Sequence, residues 1–228
     1  MDVAGISVDL ARLSEARQII LVEGASDKAA LEVLAARRGQ VLGPGGRCVV
    51  AMGGATSIGH FLDLLGPHGL NLRLAGLCDA AQEAHFRTAL ERGGLGASAA
   101  RAEMEALGFY VCTADLEGEL IRAAGTAAVE HIIRAQGELR SLRIFQQQPA
   151  QRRQSASQQL HRFMGTRSGR KSRYARLMAA ALDPGRVPRP LDRVLARAAA
   201  GGPGFSGAGW SPPRCATASG DCGRRTAR

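Results

Sequence analysis

The first half of the chain alternates short apolar runs with longer segments of helical periodicity. The apolar runs are rich in β-forming residues and span residues 19–22, 48–52, 72–78 and 109–112. The segments between them carry apolar residues at helical spacing and span residues 27–38, 56–65, 80–92 and 99–107. Glycine or proline separates the two kinds of segment. Because helical crossovers join the strands, the pattern predicts an α/β fold with a mostly parallel sheet flanked by helices.

The second half of the chain is predicted to be helical. Apolar residues recur at near-helical spacing over residues 116–136, and shorter helices are predicted over residues 155–164 and 174–182. The stretch DPGRVPRP, which begins at Asp183, ends the last of them. After Arg197 the chain is rich in Gly, Pro, Ala and Ser and has no periodicity, which predicts a disordered tail.

Length and composition agree with a globular protein that has one main core. The chain has 228 residues, of which 45% are hydrophobic. No run approaches the roughly 20 apolar residues of a membrane helix, and Cys48, Cys78 and Cys112 lie in apolar runs without metal-binding spacing. We therefore expect a cytoplasmic protein with no membrane partner. Its predicted parts are an N-terminal segment at 1–16, an α/β domain at 17–123, a basic helical region at 124–198 and the tail at 199–228.

Charge is divided unevenly between the two halves. Residues 1–119 carry 10 Lys and Arg against 15 Asp and Glu, a net charge of −5, whereas residues 120–228 carry 20 against 5, a net charge of +15. No acidic residue lies between Glu138 and Asp183, a stretch that holds ten basic residues. Such a surface attracts the phosphates of nucleic acid by neutralising charge and releasing counterions. The alternative is a solvated or disordered arginine-rich face without a ligand.

Acidic residues stand at the ends of the predicted strands. Glu23 ends the run QIILVE, and Gly24 after it permits a tight turn. Asp79 ends another run, with Glu83 four residues later on the same helical face. Ligands of parallel sheets bind at the carboxyl ends of the strands, and carboxylates that converge there suit divalent cations. A third acidic group follows the fourth strand in TADLEGEL and comprises Asp115, Glu117 and Glu119.

These motifs together make the chain resemble a Toprim domain. They are LVEG at the end of the first strand, MGGA before a helix, and a later strand that ends in aspartate. The form VEGASDKAALEVLA, with the later ADLEGELI, is most similar to Toprim domains of the OLD (overcoming lysogenization defect) family, often described as ATP-dependent endonucleases. The resemblance covers about residues 17–123 and implies the Rossmann-like Toprim fold and a metal-dependent nuclease.

The resemblance also implies roles for particular residues. Glu23 would act as general acid or base, or as a metal ligand, and Asp79 would be the first aspartate of a DxD motif that holds Mg2+ or Mn2+. Asp27 would help to bind a second metal, although capping of the next helix explains an acid there equally well. Asp115 and Glu117 would match late acidic positions of the family.

Two departures from the family pattern change the expected chemistry. Ala81 replaces the second aspartate of the DxD motif, and Glu83, one helical turn after Asp79, is the candidate to supply the missing metal ligand. Without such a replacement the site would be weakened or inactive. The stretch GTRSGRKS at residues 165–172 lacks the glycine before lysine that a phosphate-binding loop requires. Any ATP hydrolysis would therefore need an ATPase partner chain.

The sequence thus predicts a Mg2+-dependent or Mn2+-dependent nuclease that cuts DNA. One alternative is a Toprim module that binds nucleic acid but lost catalysis with Ala81, and a more remote one is nucleotidyl transfer of the primase kind.

Tyr174 would either stack on a base or pack in the helical region, whereas Phe163 is expected to pack. The residues expected to contact the DNA backbone are Arg152, Arg153, Arg167, Arg170, Lys171 and Arg173.

Overall fold

A four-stranded parallel sheet forms the centre of the protein. The structure is a computed structural model that describes residues 2–3, 6–7, 13–43, 45–96 and 100–199. Within these residues, the short strands β1 (Asp2–Val3) and β2 (Ile6–Ser7) pair antiparallel. The four strands of the sheet are β3 (Gln18–Val22), β4 (Arg47–Ala51), β5 (Leu74–Cys78) and β6 (Phe109–Val111). Their order is β4, β3, β5, β6 with every pair parallel, which confirms the predicted α/β fold.

Strands β3 and β5 form the buried middle of the sheet. Every residue of both strands is buried, as is typical of parallel strands covered on both faces. Ile20 and Val22 belong to the hydrophobic cluster on one face, and Ile19 and Leu21 belong to the cluster on the other. Val22 pairs with Leu77 near the end of β5, so the two strands finish almost level with each other. The side chains that follow these strands therefore meet at one edge.

Helices cover both faces of the sheet. Phe61, Phe86 and Met104 fill the face covered by α2, α3 and α4, while Leu31 and Leu34 of α1 pack on the opposite face. Short 3-10 turns at Ala55–Ser57 and Ala80–Gln82 lead into α2 and α3. The helix bounds are α1 (Ala25–Arg37), α2 (Ile58–Leu65), α3 (Glu83–Arg92) and α4 (Arg101–Leu107).

The helices of the second half pack onto the same face as α1. Their bounds are α5 (Leu116–Ala124), α6 (Thr126–Ala135), α7 (Leu139–Gln146), α8 (Ala156–Met164), α9 (Arg170–Ala181) and α10 (Arg189–Ala199). Helix α9 packs against α1, and α10 packs against β5 and β6. Tyr174, Met178 and Leu195 are buried in the same hydrophobic cluster as Ile20 and Val22. The predicted division after residue 123 therefore marks a change in charge, while the packing continues across it.

Several boundaries in the second half differ from the sequence pattern. The single helix predicted over residues 116–136 is two helices, because Gly125 with φ 83° and ψ 148° ends α5 and begins α6. Helix α9 begins at Arg170, before the predicted start at residue 174, and the pattern misses α7 and α10. The predicted tail beyond residue 199 lies outside the described residues. In the part of the chain that is described, no helix is long and apolar enough to cross a membrane.

Candidate metal centre

Glu23 and Asp79 are joined at the carboxyl edge of the sheet. Glu23 follows β3, and Asp79 follows the neighbouring strand β5. The backbone N–H of Asp79 donates a hydrogen bond of 2.8 Å to Oε1 of Glu23. The turn after β4 reaches the same point, since the N–H of Gly54 donates to the backbone oxygen of Glu23 at 2.9 Å. Gly54 has a φ of 136°, a conformation that favours glycine. The Glu23 carboxylate therefore bridges the ends of two strands.

Asp27 lies in the first turn of α1 and is buried. Its side chain accepts a hydrogen bond of 2.8 Å from the N–H of Gly24, so it does contribute to the start of the helix. Its pKa is raised from the ordinary 3.8 to about 7, chiefly by burial; the hydrogen bond from Gly24 opposes this rise, and the charges of Glu117 and Glu23 contribute to it. A capping acid on an exposed helix would have a lowered pKa, because the backbone hydrogen bond favours the charged carboxylate. The environment of Asp27 is therefore that of a buried acid beside other acids.

Asp79 experiences the combined field of four other carboxylates. Burial is the largest cause that raises its pKa, from 3.8 to about 7, and the charges of the other four acids raise it in addition. We call these five side chains the carboxylate cluster; they are Glu23, Asp27, Asp79, Asp115 and Glu117. Five of the six residues predicted to bind metal are thus coupled electrostatically.

One end of the carboxylate cluster includes a histidine. Asp115 caps α5 by accepting from the N–H of Gly118 at 2.8 Å, and its Oδ2 lies 2.6 Å from Nε2 of His161 on α8. Glu117 is only 3% exposed, and one of its oxygens lies 3.5 Å from Nζ of Lys171. Asp115, Glu117 and His161 each offer a ligand atom, and these atoms lie within 4.8 Å of one another. The hydrogen bond between Asp115 and His161 lowers the pKa of the aspartate and raises the pKa of the histidine.

The carboxylate cluster fits a divalent cation. Burial, with repulsion between like charges as a smaller cause, makes the charged forms of Asp27 and Asp79 costly, as their raised pKa values indicate. Within the described residues, Oε1 of Glu117 is buried and has no hydrogen-bond partner. Mg2+ and Mn2+ take carboxylate oxygens as ligands. Either ion would neutralise the crowded negative charges and give the buried Oε1 of Glu117 a partner. The donor set is therefore chemically suited to either ion.

Sequence reasoning misses His161. It lies 46 residues after Asp115, in an acid-free stretch that the charge pattern assigns to nucleic-acid binding. The only local signal is its residue type, because histidine is a common metal ligand. Its contact with Asp115 depends on how α8 packs against α5, which the sequence pattern does not specify.

Glu83 does not take the place of the missing acid at position 81. Its Oε2 accepts from the guanidinium of Arg101, with Nε at 3.2 Å, and this hydrogen bond lowers the pKa of Glu83. Ala81 is exposed on the 3-10 turn that follows Asp79. A role for Glu83 as a metal ligand would require the Arg101 ion pair to break, so the structure does not support that expectation. Glu119 is buried and accepts from the N–H of Thr113, so its role is structural.

Most of the predicted DNA-contacting side chains are exposed. Arg152, Arg153 and Arg167 are all exposed, and the side chains of Lys171 and Arg173 are 49% and 44% exposed. Lys171 faces Glu117, and Arg173 pairs with Glu138 at 2.7 Å. Lys171 thus joins the basic surface to the carboxylate cluster. The stretch at residues 165–172 follows helix α8, not a strand, and its last three residues, which include Lys171, form the start of α9.

The prediction that Arg170 contacts DNA is wrong. Arg170 is only 4% exposed, and its Nε lies 3.2 Å from Oε2 of Glu138. Its Nη1 donates to the backbone oxygen of Phe163 at 3.1 Å, and the guanidinium lies 4.2 Å from the centroid of the Phe163 ring. These contacts hold the guanidinium inside the protein, where a phosphate cannot reach it.

Tyr174 and Phe163 both pack in the core. Phe163 is 2% exposed, as expected, and Tyr174 is fully buried, so the interpretation of Tyr174 as a base-stacking residue is excluded. The hydroxyl of Tyr174 donates to Oε2 of Glu138 at 2.8 Å. Burial, followed by this hydrogen bond, raises the pKa of Tyr174 to about 12. Glu138 therefore organises the start of α9 by binding Arg170, Arg173 and Tyr174.

Arg167 and Arg170 form a matched pair for testing the basic surface. Arg170→Gln is expected to destabilise the protein by about 3 kcal/mol, because it leaves a partly buried Glu138 without one of its cations. Arg167→Gln is expected to leave stability unchanged and to weaken DNA binding, with a smaller dependence of affinity on salt. Urea unfolding and fluorescence anisotropy with labelled duplex DNA at several salt concentrations would measure the two effects. Equal DNA affinity of Arg167→Gln and wild type would contradict the assignment of Arg167.

Comparisons with known proteins agree with this architecture. Residues 16–80 match the profile of the family described as "Overcoming lysogenization defect protein-like, TOPRIM domain". The C-terminal region of the Xanthomonas campestris pv. campestris OLD protein is similar in structure, with a TM-score of 0.61 at 23% identity over 80% of this chain and 94% of that chain. The C-terminal region of the Burkholderia pseudomallei OLD protein gives a TM-score of 0.62 at 19% identity, over 80% and 97%. A comparison with curated proteins found no match.

The resemblance inferred from the sequence motifs is therefore confirmed. The segment at residues 16–80 is similar to the OLD-like Toprim domain, and the described part of the chain shares the fold of the OLD C-terminal regions. Residues up to 123 make up little more than half of the chain, so a structural match over 80% also includes helices of the second half. The basic helices are thus part of the shared fold.

Proposed function

We propose that this protein is a metal-dependent nuclease of the Toprim class that hydrolyses phosphodiester bonds in DNA. The observation that carries the proposal is the carboxylate cluster, in which burial and mutual repulsion raise the pKa values of Asp27 and Asp79 to about 7. A structural role alone does not explain why acids from several strand ends and helix starts should converge. A divalent cation that neutralises them does.

Glu23 and Asp79 are the central residues of the proposed site. Both would hold Mg2+ or Mn2+, and Asp27, Asp115 and Glu117 would supply further oxygens. The bound cation would stabilise negative charge that develops on the phosphate and lower the pKa of a bound water. The hydrogen bond from the Asp79 N–H keeps Glu23 in one position before any ligand binds. The carboxylates are therefore largely preorganised by backbone contacts.

The exposed basic residues supply the proposed DNA-binding surface. Arg152, Arg153 and Arg167 are exposed and would neutralise backbone phosphates, and the positive charge of Lys171 lies next to Glu117. This arrangement supports a path for the DNA from the basic helices to the carboxylate cluster. Because these contacts are with phosphates, we expect binding with little sequence preference.

A second candidate function is nucleic-acid binding without catalysis. The observation that favours it is the exposed Ala81 next to Asp79, together with the commitment of Glu83 to Arg101. A site with one fewer acid holds a metal more weakly, which lowers the catalytic rate more than it disturbs the fold. The carboxylate cluster retains five acids, so we favour the nuclease.

The cellular compartment and a partner chain are also proposed. The buried free thiols of Cys78 and Cys112 support a reducing compartment such as the cytoplasm. For any coupling of the activity to ATP, we propose an ATPase partner chain. The region at residues 165–172 offers no phosphate-binding loop, because it lacks the required glycine and follows a helix.

Nicking of supercoiled plasmid by the full chain tests the proposal. We expect relaxed and then linear DNA with Mg2+ or Mn2+, and no product when EDTA removes the cation. DNA binding measured in parallel, with EDTA present, should weaken steeply as salt rises. Salt-dependent binding without cleavage under any cation would overturn the nuclease and leave the binding module.

A further inference from the structure

A histidine from the second half of the chain completes one end of the carboxylate cluster. Nε2 of His161 lies 2.6 Å from Oδ2 of Asp115, and both lie close to Glu117. On the basis of the metal site in the proposed function, we propose that His161 is a nitrogen ligand of a divalent cation held with Asp115 and Glu117. This ligand makes the position selective for a transition ion such as Mn2+ over Mg2+.

The two ends of the Asp115–His161 contact are fixed by separate elements. Asp115 caps α5, and the N–H of Gly118 holds its Oδ1, which leaves Oδ2 directed at the histidine. His161 stands on α8, whose Leu160 and Phe163 are buried in the main hydrophobic cluster. Because α8 packs against α5, the imidazole and the carboxylate are held together by the core rather than by a flexible loop. Such rigid placement is what a metal site requires.

Glu117 supplies the independent observation that a ligand belongs here. Its side chain is 4% exposed, and within the described part of the chain its Oε1 is buried without a hydrogen-bond donor. Lys171 lies 3.5 Å from the other oxygen, Oε2, and so does not satisfy Oε1. A buried carboxylate oxygen with no partner is costly, and a bound cation would remove that cost.

The spacing of the three ligand atoms is close to that of a bound ion. They lie within 4.8 Å of one another, and two ligands on opposite sides of one small cation are about 4.4 Å apart. The proton between Nε2 and Oδ2 would leave, and the cation would bind both atoms in its place. The two atoms would have to move apart slightly to do so.

The ligand types determine which cation is preferred. Mg2+ takes oxygen ligands and keeps several waters, whereas imidazole suits transition ions. Mn2+ accepts both carboxylate and imidazole, so two carboxylates with one histidine favour it over Mg2+. The remaining carboxylates of the cluster, Glu23, Asp27 and Asp79, offer oxygen only and do not favour Mn2+ over Mg2+ in this way.

A competing explanation is that His161 acts only as a positioning residue. In that case Nε2–H would keep its hydrogen bond to Asp115 and orient the carboxylate, while a cation contacted oxygen alone. Both explanations predict weaker metal binding after His161 is replaced. Direct detection of nitrogen on the cation separates them.

Electron spin-echo spectroscopy of Mn2+ bound to the full chain provides that detection. We expect a 14N coupling of a directly bound imidazole, which changes to the 15N pattern when the protein is labelled with 15N-histidine. The coupling should be absent in His161→Gln and retained in His131→Gln, a matched change at an exposed histidine on α6. The coupling identifies the ion at His161 even when a second ion binds near Glu23 and Asp79. Absence of nitrogen coupling in the wild type would overturn the proposal without reference to any variant.

Metal affinity gives a second readout. His161→Gln should weaken Mn2+ binding by about 10 to 100 fold, measured from the spectrum of free Mn2+. Displacement of Mn2+ by Mg2+ should become easier, since the ligand that favours the transition ion is gone. Equal loss of affinity for both ions would indicate a positioning residue and would overturn the assigned selectivity.

Plasmid nicking in the same preparations keeps this inference separate from the proposed function. Nitrogen coupling without nicking would support the His161 site and reject the nuclease. Mg2+-dependent nicking by a wild-type protein that shows no nitrogen coupling would support the nuclease and reject the His161 site.

Discussion

Replacing Asp79 by asparagine is expected to reduce plasmid nicking by a factor of about 100 or more while leaving the protein folded. Asparagine keeps the shape of the side chain but removes one negative charge from a site that needs charge to hold a cation. The backbone N–H of Asp79 still reaches Glu23, so the strand ends remain joined. Initial nicking rates at saturating Mg2+, compared with urea unfolding of the same preparation, would measure both effects.

Glu23→Gln is expected to give a similar loss for the same reason. The glutamine oxygen can still accept from the Asp79 N–H, so this change also removes charge without removing the contact. In the proposed site the two acids would act on one cation, so the double variant should be little worse than either single variant. Losses that multiply in the double variant would indicate that the two residues act independently.

Glu83→Gln is the matched control for both changes. Glu83 is an acid only four residues after Asp79, but its carboxylate is paired with Arg101 outside the carboxylate cluster. We expect its nicking rate to stay close to that of the wild type. A loss as large as that of Asp79→Asn would contradict the structural assignment and restore Glu83 as a ligand.

The fold of the first half is predictable because its signals are local. Strands β3 and β5 are continuous apolar runs, and a run of that kind indicates burial on both faces without further information. Because strands alternate with helices along the chain, the helices can act as crossover connections, and this predicts a parallel sheet. The same reasoning locates Glu23 and Asp79, since both directly follow buried strands. A parallel sheet brings such positions to one edge.

The second half is harder to predict because its signals depend on context. Gly125 interrupts a helical pattern whose apolar spacing continues on both sides, so periodicity alone does not reveal the break. Helix α10 begins within a proline-rich stretch that reads as a stop signal. Pro190 nevertheless lies in the first turn, where a backbone N–H is not needed for the helix. The structure uses that proline to start a helix.

Sequence patterns do not predict which side chains from distant parts of the chain contact each other. Arg170 and Arg167 look equivalent in a basic stretch, yet one is buried against Glu138 and the other is exposed. His161 and Asp115 belong to segments with different charge and are brought together only by tertiary packing. Burial and pairing of charged groups are properties of the assembled core, so local composition does not reveal them.

Asp27→Asn is expected to stabilise the protein above pH 7 when divalent cations are absent. The folded-state pKa of Asp27 is raised to about 7 from the ordinary 3.8, chiefly by burial. Below about pH 4 the acid is protonated in both the folded and unfolded states, so it has no effect there. As pH rises from 4 to 7, the unfolded state loses its proton first, and the free energy of unfolding falls. Above pH 7 the folded state carries the full cost of the buried charge.

Urea unfolding in EDTA at pH 5 and pH 8 would measure the effect. Asparagine stays neutral and can still accept from the N–H of Gly24, so the variant should gain about 1 to 3 kcal/mol over the wild type at pH 8 and less at pH 5. Asp63→Asn, at an exposed acid on α2, should show no such gain. Addition of Mn2+ should stabilise the wild type more than Asp27→Asn, because binding to the folded state is the step that removes the repulsion. An equal response of both proteins to Mn2+ would separate Asp27 from the metal centre and leave it as a buried helix-start residue.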